Sequence, residues 1–319
     1  MHARFYWILS LLILALLGLV VWASMWGSVS LSLAQWWQII TQPQNQSSEL
    51  NRLSTVLWEI RLPRIIFAGL IGAGLSLAGA VMQALFRNPL AEPGLMGVSA
   101  GASLGAVSAI VFVSMAPLMI YPIAFLGALL AMLLAYQIGR RYPGTAGLLL
   151  AGIAINALAA ALLGGLSYIA TDAQLRNLSF WTMGSLAAAN WTILSFLVPW
   201  VLLLSGFLIS QWKVLNALLL GERVVVQLGY HLPTVRWRLL LGIALLVGPL
   251  VALSGGIAFV GLVIPHCVRL ILGAEHRQLL PISMLVGALA LIALDLLARL
   301  LLAPIELPIG LVTGFIGSL

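Results

Sequence analysis

Ten apolar segments, separated by short polar connections, constrain the fold of this chain more than any other feature of its sequence. A transmembrane helix needs roughly 20 apolar residues to cross a hydrocarbon core of about 30 Å. Only 7% of the residues are charged, which excludes a soluble domain, where about a quarter of the residues carry charge. We therefore predict an all-α integral membrane protein with about ten transmembrane helices, of which the seventh, eighth and tenth are short. The segments lie near residues 5–27, 65–86, 94–114, 117–139, 146–170, 190–211, 237–254, 257–272, 282–303 and 308–319.

The distribution of basic residues predicts which side of the membrane each connection faces. With a cytoplasmic N-terminus, ten of the 15 lysine and arginine residues fall inside and five fall outside. This bias follows the positive-inside rule. The formal net charge of +7 therefore reflects orientation and does not indicate nucleic-acid binding. Because the connections are short apart from a polar loop at residues 31–60, we expect one transmembrane domain over residues 1–319.

A polar-flanked segment at residues 213–236 is unexpected in a simple membrane anchor. Its central string, LLLGERVVVQLGYHL at residues 218–232, consists of two short apolar pieces with a hinge at Gly221–Glu222. A connection between two packed helices needs only about 2–8 residues. We therefore predict that this segment lies on the cytoplasmic side and presents a surface to a separate partner.

Residues for catalysis or permanent metal binding are absent from the motifs of this chain. The phosphate-binding loop ends in Gly-Lys-Ser/Thr, whereas the single lysine, Lys213, follows Gln211 and Trp212. The chain therefore does not hydrolyse ATP by that route, and no pair of catalytic groups at one membrane depth indicates an intramembrane enzyme. Cys267 is the only cysteine, which excludes a disulfide framework. We interpret His266, in the string VIPHCVR, as a packing residue in preference to a metal ligand.

Small residues recur at the spacing of helix contacts in lipid. Examples are the Gly101–Gly105 and Gly310–Gly314 pairs and a cluster of glycines and alanines at residues 68–79. Such residues allow helix backbones to approach closely. We predict a tightly packed bundle from this pattern.

Two interpretations apply to Asp295, the one clear carboxylate inside the ninth segment. Arg299 follows four residues later, and this spacing places both charges on one helical face. Because charges within the membrane usually pair with one another, we favour a structural ion pair. The alternative is a proton relay in an ion-coupled secondary transporter.

The string RLPR at residues 61–64 places two arginines at the outer mouth of the second segment. Arg61 and Arg64 share a helix face, and Arg299 approaches the same side of the membrane. Arginines form strong charge-assisted hydrogen bonds with carboxylates. We therefore predict an anion-attracting rim that suits acidic side chains of a partner.

The segment at residues 83–101, QALFRNPLAEPGLMGVSAG, breaks the helical pattern between two apolar segments. Irregular backbone at membrane depth is tolerated only inside protein or beside a water-filled cavity. The segment is therefore either a gate or an ordinary tight turn on the cytoplasmic side, and the sequence leaves both interpretations open.

Six strings along the chain resemble those of one transporter family. They are RLPR at 61–64, AGAVMQALFRNPLAEPGLMGVSAGA at 78–102, LGE and LG at 220–222 and 228–229, GGIAFVGLVIPHCVR at 255–269, GAEHRQLLP at 273–281 and ELPIG at 306–310. The family is that of the permease subunits of type II ABC importers, which includes vitamin B12, siderophore and haem permeases. The family pattern continues past the final IG, whereas the tenth segment here is too short to cross a bilayer alone.

The resemblance implies an assembly and roles for particular residues. The assembly is a homodimer in the bacterial inner membrane with two cytoplasmic ATPases, which bind ATP and Mg²⁺, and a periplasmic substrate-binding protein. The permease itself holds no permanent cofactor. Arg61, Arg64 and Arg299 correspond to the arginines that receive acidic residues of the binding protein. ATPase coupling is assigned to Leu220, Gly221, Glu222, Leu228 and Gly229, and the cytoplasmic gate to Asn88, Pro89, Leu90, Gly144 and Thr145.

The string NLSFWTMGSLAAANW at residues 177–191 most resembles the haem permeases of this family. Haem is therefore the expected transported substrate, and a ferric siderophore or cobalamin is the alternative. We predict Tyr168, Arg176 and Met183 as candidates for lining the pathway.

Overall fold

The computed structural model describes residues 2–27, 29–41, 48–113, 117–142, 144–303 and 305–318. Within these ranges all regular secondary structure is helical, which confirms the predicted all-α class. A 3-10 turn covers Pro93–Met96, and π-helical turns cover Val56–Arg61 and Ala109–Val113. The α-helices are α1 (His2–Met25), α2 (Leu33–Thr41), α3 (Ser48–Thr55), α4 (Leu62–Phe86), α5 (Val98–Ser108), α6 (Pro117–Gly139), α7 (Ala146–Ile169), α8 (Asp172–Thr182), α9 (Trp191–Ser210), α10 (Trp212–Leu220), α11 (Glu222–Gln227), α12 (Leu232–Ser254), α13 (Val260–Leu272), α14 (His276–Leu300) and α15 (Ile309–Ser318).

Seven helical stretches in the described ranges are long and apolar enough to cross a membrane. Three more are apolar but shorter, namely α5 with its π-helical turn, α13 and α15. These ten stretches coincide with the ten predicted segments. The seventh segment is longer than predicted, because α12 begins at Leu232 and includes polar residues in its first turns. The side of the membrane on which α1 begins remains a prediction.

α4 lies at the centre of the bundle and packs against α9, α12, α13 and α14. A Cβ atom on Gly72 would overlap the carbonyl oxygen of Gly287 in α14, and one on Gly79 would overlap that of Gly261 in α13. The glycines of α4 therefore bring three helix backbones into direct contact. This packing confirms the prediction from the small residues at 68–79.

The connection predicted as a polar loop at residues 31–60 is largely helical in the structure. It contains α2, α3 and the π-helical turn that leads into α4, while residues 42–47 lie outside the described ranges. Gln35 and Ser32 cap the start of α2 reciprocally, since the Gln35 N–H donates to Ser32 Oγ and the Ser32 N–H donates to Gln35 Oε1. The helices form because a separate apolar cluster of Leu31, Ile39 and Leu57 gives them something to pack on. The sequence did not indicate these helices, whereas the loop predicted from Gln42, Pro43, Asn45, Ser47 and Ser48 falls, apart from Ser48, on residues outside the described ranges.

Candidate functional site

The three arginines of the predicted rim lie together around a cavity of about 180 Å³. Arg61 ends the π-helical turn, Arg64 lies in the first turn of α4, and Arg299 lies in the last turn of α14. Pro63 also lies in the first turn of α4, directly after the π-helical turn with which α4 forms one continuous helical stretch. Glu306, from the connection between α14 and α15, lines the same cavity. We call these three arginines with Asp295 and Glu306 the arginine cluster.

Asp295 is 1% exposed and has an arginine at each carboxylate oxygen. Arg64 Nε donates to Asp295 Oδ1 at 3.0 Å, and Arg64 Nη2 lies 2.9 Å from the same oxygen. Arg299 Nε lies 3.0 Å from Asp295 Oδ2. The predicted Asp295–Arg299 ion pair is therefore confirmed. The sequence did not indicate Arg64 as a second partner, because it lies 231 residues away along the chain.

Arg61 is 4% exposed and engages backbone carbonyl groups at the end of α1. Its guanidinium donates to the carbonyl oxygens of Ser24 at 2.9 Å and Met25 at 3.1 Å, and also to that of Val29. Gly27 leaves room for this approach, since a Cβ atom there would lie 2.8 Å from Arg61 Nη2. Arg61 thus fastens the end of α1 to the start of α4 behind the cavity.

The charges of the arginine cluster do not balance. Three guanidinium groups face two carboxylates, so the cluster carries one positive charge in excess, and Arg61, the arginine without a carboxylate partner among the described residues, lies behind the cavity. The cluster can therefore attract a further carboxylate from outside the subunit. Arg64 is the arginine of the cluster that binds an exposed carboxylate. Its Nη1 donates a hydrogen bond to Glu306, whose side chain is 51% exposed.

The broken segment at residues 83–101 combines a tight turn with a wall of a second cavity. α4 ends where Arg87 adopts a left-handed conformation with φ of 48°. Asn88 Oδ1 then accepts a hydrogen bond from the Leu90 N–H at 2.9 Å, which closes the turn. Pro89 and Leu90 are exposed at its tip. The structure therefore shows a tight turn at Asn88–Leu90, whereas a gating role of the segment stays a prediction.

The second cavity has a volume of about 540 Å³, and we call it the central cavity. Its walls come from α4, α5, α7, α8, α12, α13, α15, the 3-10 turn with the residue before it, and the connections before α9 and α13. The lining residues are Leu75, Glu92, Pro93, Gly94, Leu95, Ser99, Ala100, Asn156, Thr182, Met183, Val247, Gly256, Ile257, Ala258, Gly261, Gly310 and Leu311. The wall is mostly apolar, with a few polar groups.

Of the predicted pathway residues, only Met183 lines the central cavity. Tyr168 is 91% exposed at the end of α7, and Arg176 is exposed on α8. Sequence reasoning missed Glu92 and Asn156 as lining residues. Asn156 interrupts a long apolar run, which is a usable signal, and its Nδ2 donates to the Gly94 carbonyl oxygen at 3.0 Å.

The other predicted gate residues, Gly144 and Thr145, lie directly before α7. Gly144 has φ of 80°, a conformation that favours glycine. Thr145 begins the helix, since its carbonyl oxygen accepts from the Leu149 N–H at 3.2 Å. The helix that starts here carries Asn156 into the wall of the central cavity.

The predicted coupling segment forms α10 and α11, with the break between them at Gly221, where φ is 116°. Gly229, with φ of 84°, ends the second piece before α12. Leu220 is 73% exposed and Leu228 is 60% exposed. Exposed apolar side chains flanked by charged groups are typical of a protein contact surface.

Glu222 joins the coupling segment to the end of α4. Its Oε1 accepts a hydrogen bond from Arg236 Nη2 at 2.6 Å and lies 4.0 Å from Arg87 Nη2. Arg87 is the residue at which α4 gives way to the turn at Asn88–Leu90. Glu222 therefore places the start of α11 beside the residue at which this turn begins.

A second link joins the coupling segment to α14. Asn216 of α10 accepts from the His276 backbone N–H at 2.9 Å and lies 2.9 Å from His276 Nδ1. His276 is fully buried at the start of α14, and Arg299 lies near its other end. At about 1.5 Å per residue, the two ends are roughly 35 Å apart. One rigid helix thus runs from the coupling segment to the arginine cluster.

Comparison with known proteins identifies the family. Residues 11–319 match the family model described as the FecCD transport family. The chain is 48% identical over 272 residues to the vitamin B12 import system permease protein BtuC of Vibrio cholerae, covering 82% of this chain and 80% of that protein. It is 42% identical over 321 residues to the hemin transport system permease protein HmuU of Yersinia pestis, covering 97% and 92% respectively.

A solved structure supports the same assignment. The chain superposes with a TM-score of 0.88 on an inward-facing metal-chelate type ABC transporter, at 36% identity and with 98% of this chain and 96% of that chain covered. These comparisons confirm the resemblance carried by the six strings. The chain belongs to the FecCD transport family, the permeases of the type II ABC importers.

Proposed function

We propose that this chain is the membrane-spanning subunit of an ATP-driven importer that moves a metal–tetrapyrrole complex, haem by preference, from the periplasm to the cytoplasm. The observation that carries the proposal is the central cavity. It lies in a bundle with an excess of positive charge at one end and an exposed apolar segment at the other. A mostly apolar wall with few polar groups suits a cargo that must bind weakly enough to leave.

Two partners fit the two ends of the subunit. A periplasmic binding protein presents carboxylates to the arginine cluster, with Arg64 and Arg299 as the receiving groups and Arg61 positioned behind them. Two cytoplasmic ATPases bind residues 213–236 of the two permease subunits, where Leu220 and Leu228 are exposed. Movement of the ATPases then reaches the turn at Asn88–Leu90 through Glu222 and Arg87.

A second copy of the chain completes the pathway in this proposal. Exposed apolar side chains on α7 and α15 flank the residues of those helices that line the central cavity, Asn156 and Leu311. A copy packed on this face would enclose the cavity between two subunits. The exposed side chains are Leu150, Ile153, Leu158, Leu162, Leu311 and Phe315.

Haem and cobalamin are the two candidates for the transported cargo. The match to the hemin permease covers nearly the whole chain, and Met183 of the haem-like string lines the central cavity. Cobalamin is the second candidate, because the vitamin B12 permease of Vibrio cholerae is more similar in sequence over the part that aligns.

A proton-coupled mechanism is less compatible with the geometry. Both carboxylate oxygens of Asp295 are occupied by arginine partners, and the side chain is buried. A proton relay needs a carboxylate that gains and releases a proton during transport. Asp295 is therefore assigned a structural role.

Uptake by the assembled complex in proteoliposomes tests this function. Haem, cobalamin and a ferric siderophore are offered separately, each with its own binding protein and with ATP inside the vesicles. We expect uptake and ATPase stimulation with haem. Uptake of cobalamin or the siderophore instead would overturn the haem assignment, and no ATP-dependent uptake of any cargo would overturn the importer function.

A further inference from the structure

The two carboxylates of the arginine cluster differ in how firmly they are held. Asp295 is buried between Arg64 and Arg299. Among the described residues, Glu306 forms an ion pair with Arg64 alone, through a hydrogen bond of 2.7 Å, and half of its side chain is exposed to solvent. Exposed ion pairs contribute little to stability, whereas the loss of one partner from a buried pair is strongly destabilising. Glu306 is thus the carboxylate that can leave.

We propose that Glu306 is an internal ligand of Arg64 in the free permease, and that a carboxylate of the docking partner replaces it. This inference rests on the proposed docking of an acidic partner at the arginine cluster. Docking is then an exchange of one carboxylate for another on the same guanidinium. Arg64 keeps Asp295 as its buried partner throughout, so the exchange leaves no unpaired charge in the core.

The exchange has a direct route to the central cavity. Glu306 directly precedes two backbone hydrogen bonds that fix the rest of its connection, from the Leu307 N–H to the Ala298 carbonyl oxygen at 3.1 Å and from the Gly310 N–H to the Met183 carbonyl oxygen at 3.0 Å. Gly310 and Met183 both line the central cavity.

The contact at Gly310 is too tight to absorb a shift of α15. A Cβ atom on Gly310 would overlap the carbonyl oxygens of Met183 and Gly256. Release of Glu306 removes one of the contacts that hold the connection before α15, and any movement of α15 displaces the cavity wall. Glu306 is thus a positioning residue: its release on docking changes the position of α15 and, with it, the wall of the central cavity.

The test compares Glu306→Gln with Glu59→Gln in the complete permease–ATPase complex. Glu59 is an exposed carboxylate in the π-helical turn that leads to Arg61, so its substitution removes the same charge near the cluster without touching Arg64. The first measurement is the affinity of the complex for its substrate-loaded binding protein. Without Glu306 as a competitor for Arg64, the dissociation constant of the binding protein should fall about two- to fivefold. This factor corresponds to the free energy that an exposed ion pair contributes.

The expected result is tighter docking of Glu306→Gln, with unchanged affinity of Glu59→Gln. Unchanged or weaker docking of Glu306→Gln, or an equal gain in both variants, would overturn the exchange. Arg64→Gln separates this outcome from failure of the docking proposal, and Arg64→Lys, which keeps the charge, controls for folding. Weaker docking of Arg64→Gln with unchanged docking of Glu306→Gln overturns the exchange alone, whereas unchanged docking of Arg64→Gln overturns both proposals.

A second measurement follows the connection itself. A spin label at Ile305, which is 69% exposed, reports mobility beside Glu306 when Cys267 is first replaced by serine. We expect the label to become more mobile when the binding protein docks, and to be mobile before docking in Glu306→Gln. A label whose mobility is the same in the free and docked complexes would overturn the release of Glu306.

Discussion

Replacement of Asp295 by asparagine removes one negative charge from between two arginines while preserving the size of the side chain. Arg64 keeps Glu306 as a partner, but Arg299 keeps only a hydrogen bond of 3.4 Å to the Trp26 carbonyl oxygen. Arg299 is 7% exposed, so its charge is left buried and nearly unpaired. The substitution therefore tests the structural role of Asp295.

Loss of one partner from a buried ion pair typically costs about 3–5 kcal/mol. We expect a value near the lower end, about 3 kcal/mol, because the asparagine oxygen still accepts a hydrogen bond from Arg64. The double variant Asp295→Asn with Arg299→Met removes the orphaned charge as well. It should recover part of the loss, since apolar replacement of a whole buried pair is often close to neutral.

Thermal unfolding in detergent measures this effect through the fluorescence of the chain's 11 tryptophans. Asp172→Asn is the matched control, because Asp172 is the only other aspartate and lies exposed in the first turn of α8. We expect a lower unfolding midpoint for Asp295→Asn than for the control. Wild-type stability combined with complete loss of uptake would refute the structural assignment and favour a proton relay.

Three further predictions address other parts of the molecule. Glu222→Arg should weaken ATPase binding and abolish uptake, because it places three positive charges together; normal assembly and uptake would remove the coupling role. Gly79→Leu should prevent folding, since α4 and α13 contact through their backbones, whereas Gly18→Leu on α1, where a side chain meets open space, should leave expression unchanged. Asn156→Leu should leave stability within about 1–3 kcal/mol of wild type but alter cargo-stimulated ATPase activity, and an unchanged response to every cargo would remove Asn156 from the pathway.

The apolar segments predicted most of the fold because membrane helices can be recognised from the length and composition of their sequence. All ten predicted segments correspond to helices, and the Asp295–Arg299 pair followed from a spacing of four residues. The helices α2 and α3 were missed because they are short, with 9 and 8 residues, and because α3 is polar apart from Leu50 and Leu53.

The candidate site was harder to predict, because its parts meet only through long-range packing. The sequence predicted that the three arginines lie on the same side of the membrane. No neighbouring residue in the sequence indicated that Arg61 would be buried against backbone carbonyls, or that Glu306 would bind Arg64, which is 242 residues away along the chain. The sequence also did not show which side of α7 faces the central cavity. A helix that is apolar all round shows no preferred face, so the sequence did not indicate that Asn156 lines the central cavity while Tyr168 lies exposed at the end of α7.

The energy source of uptake distinguishes an ATP-driven importer from a proton-coupled transporter. Proteoliposomes that contain the permease–ATPase complex are given loaded binding protein, and uptake is measured with internal ATP and no pH gradient, then with a pH gradient and no ATP. The account predicts uptake only with ATP, and loss of that uptake when residues 213–236 cannot bind the ATPase. Uptake driven by the pH gradient without ATP would contradict it.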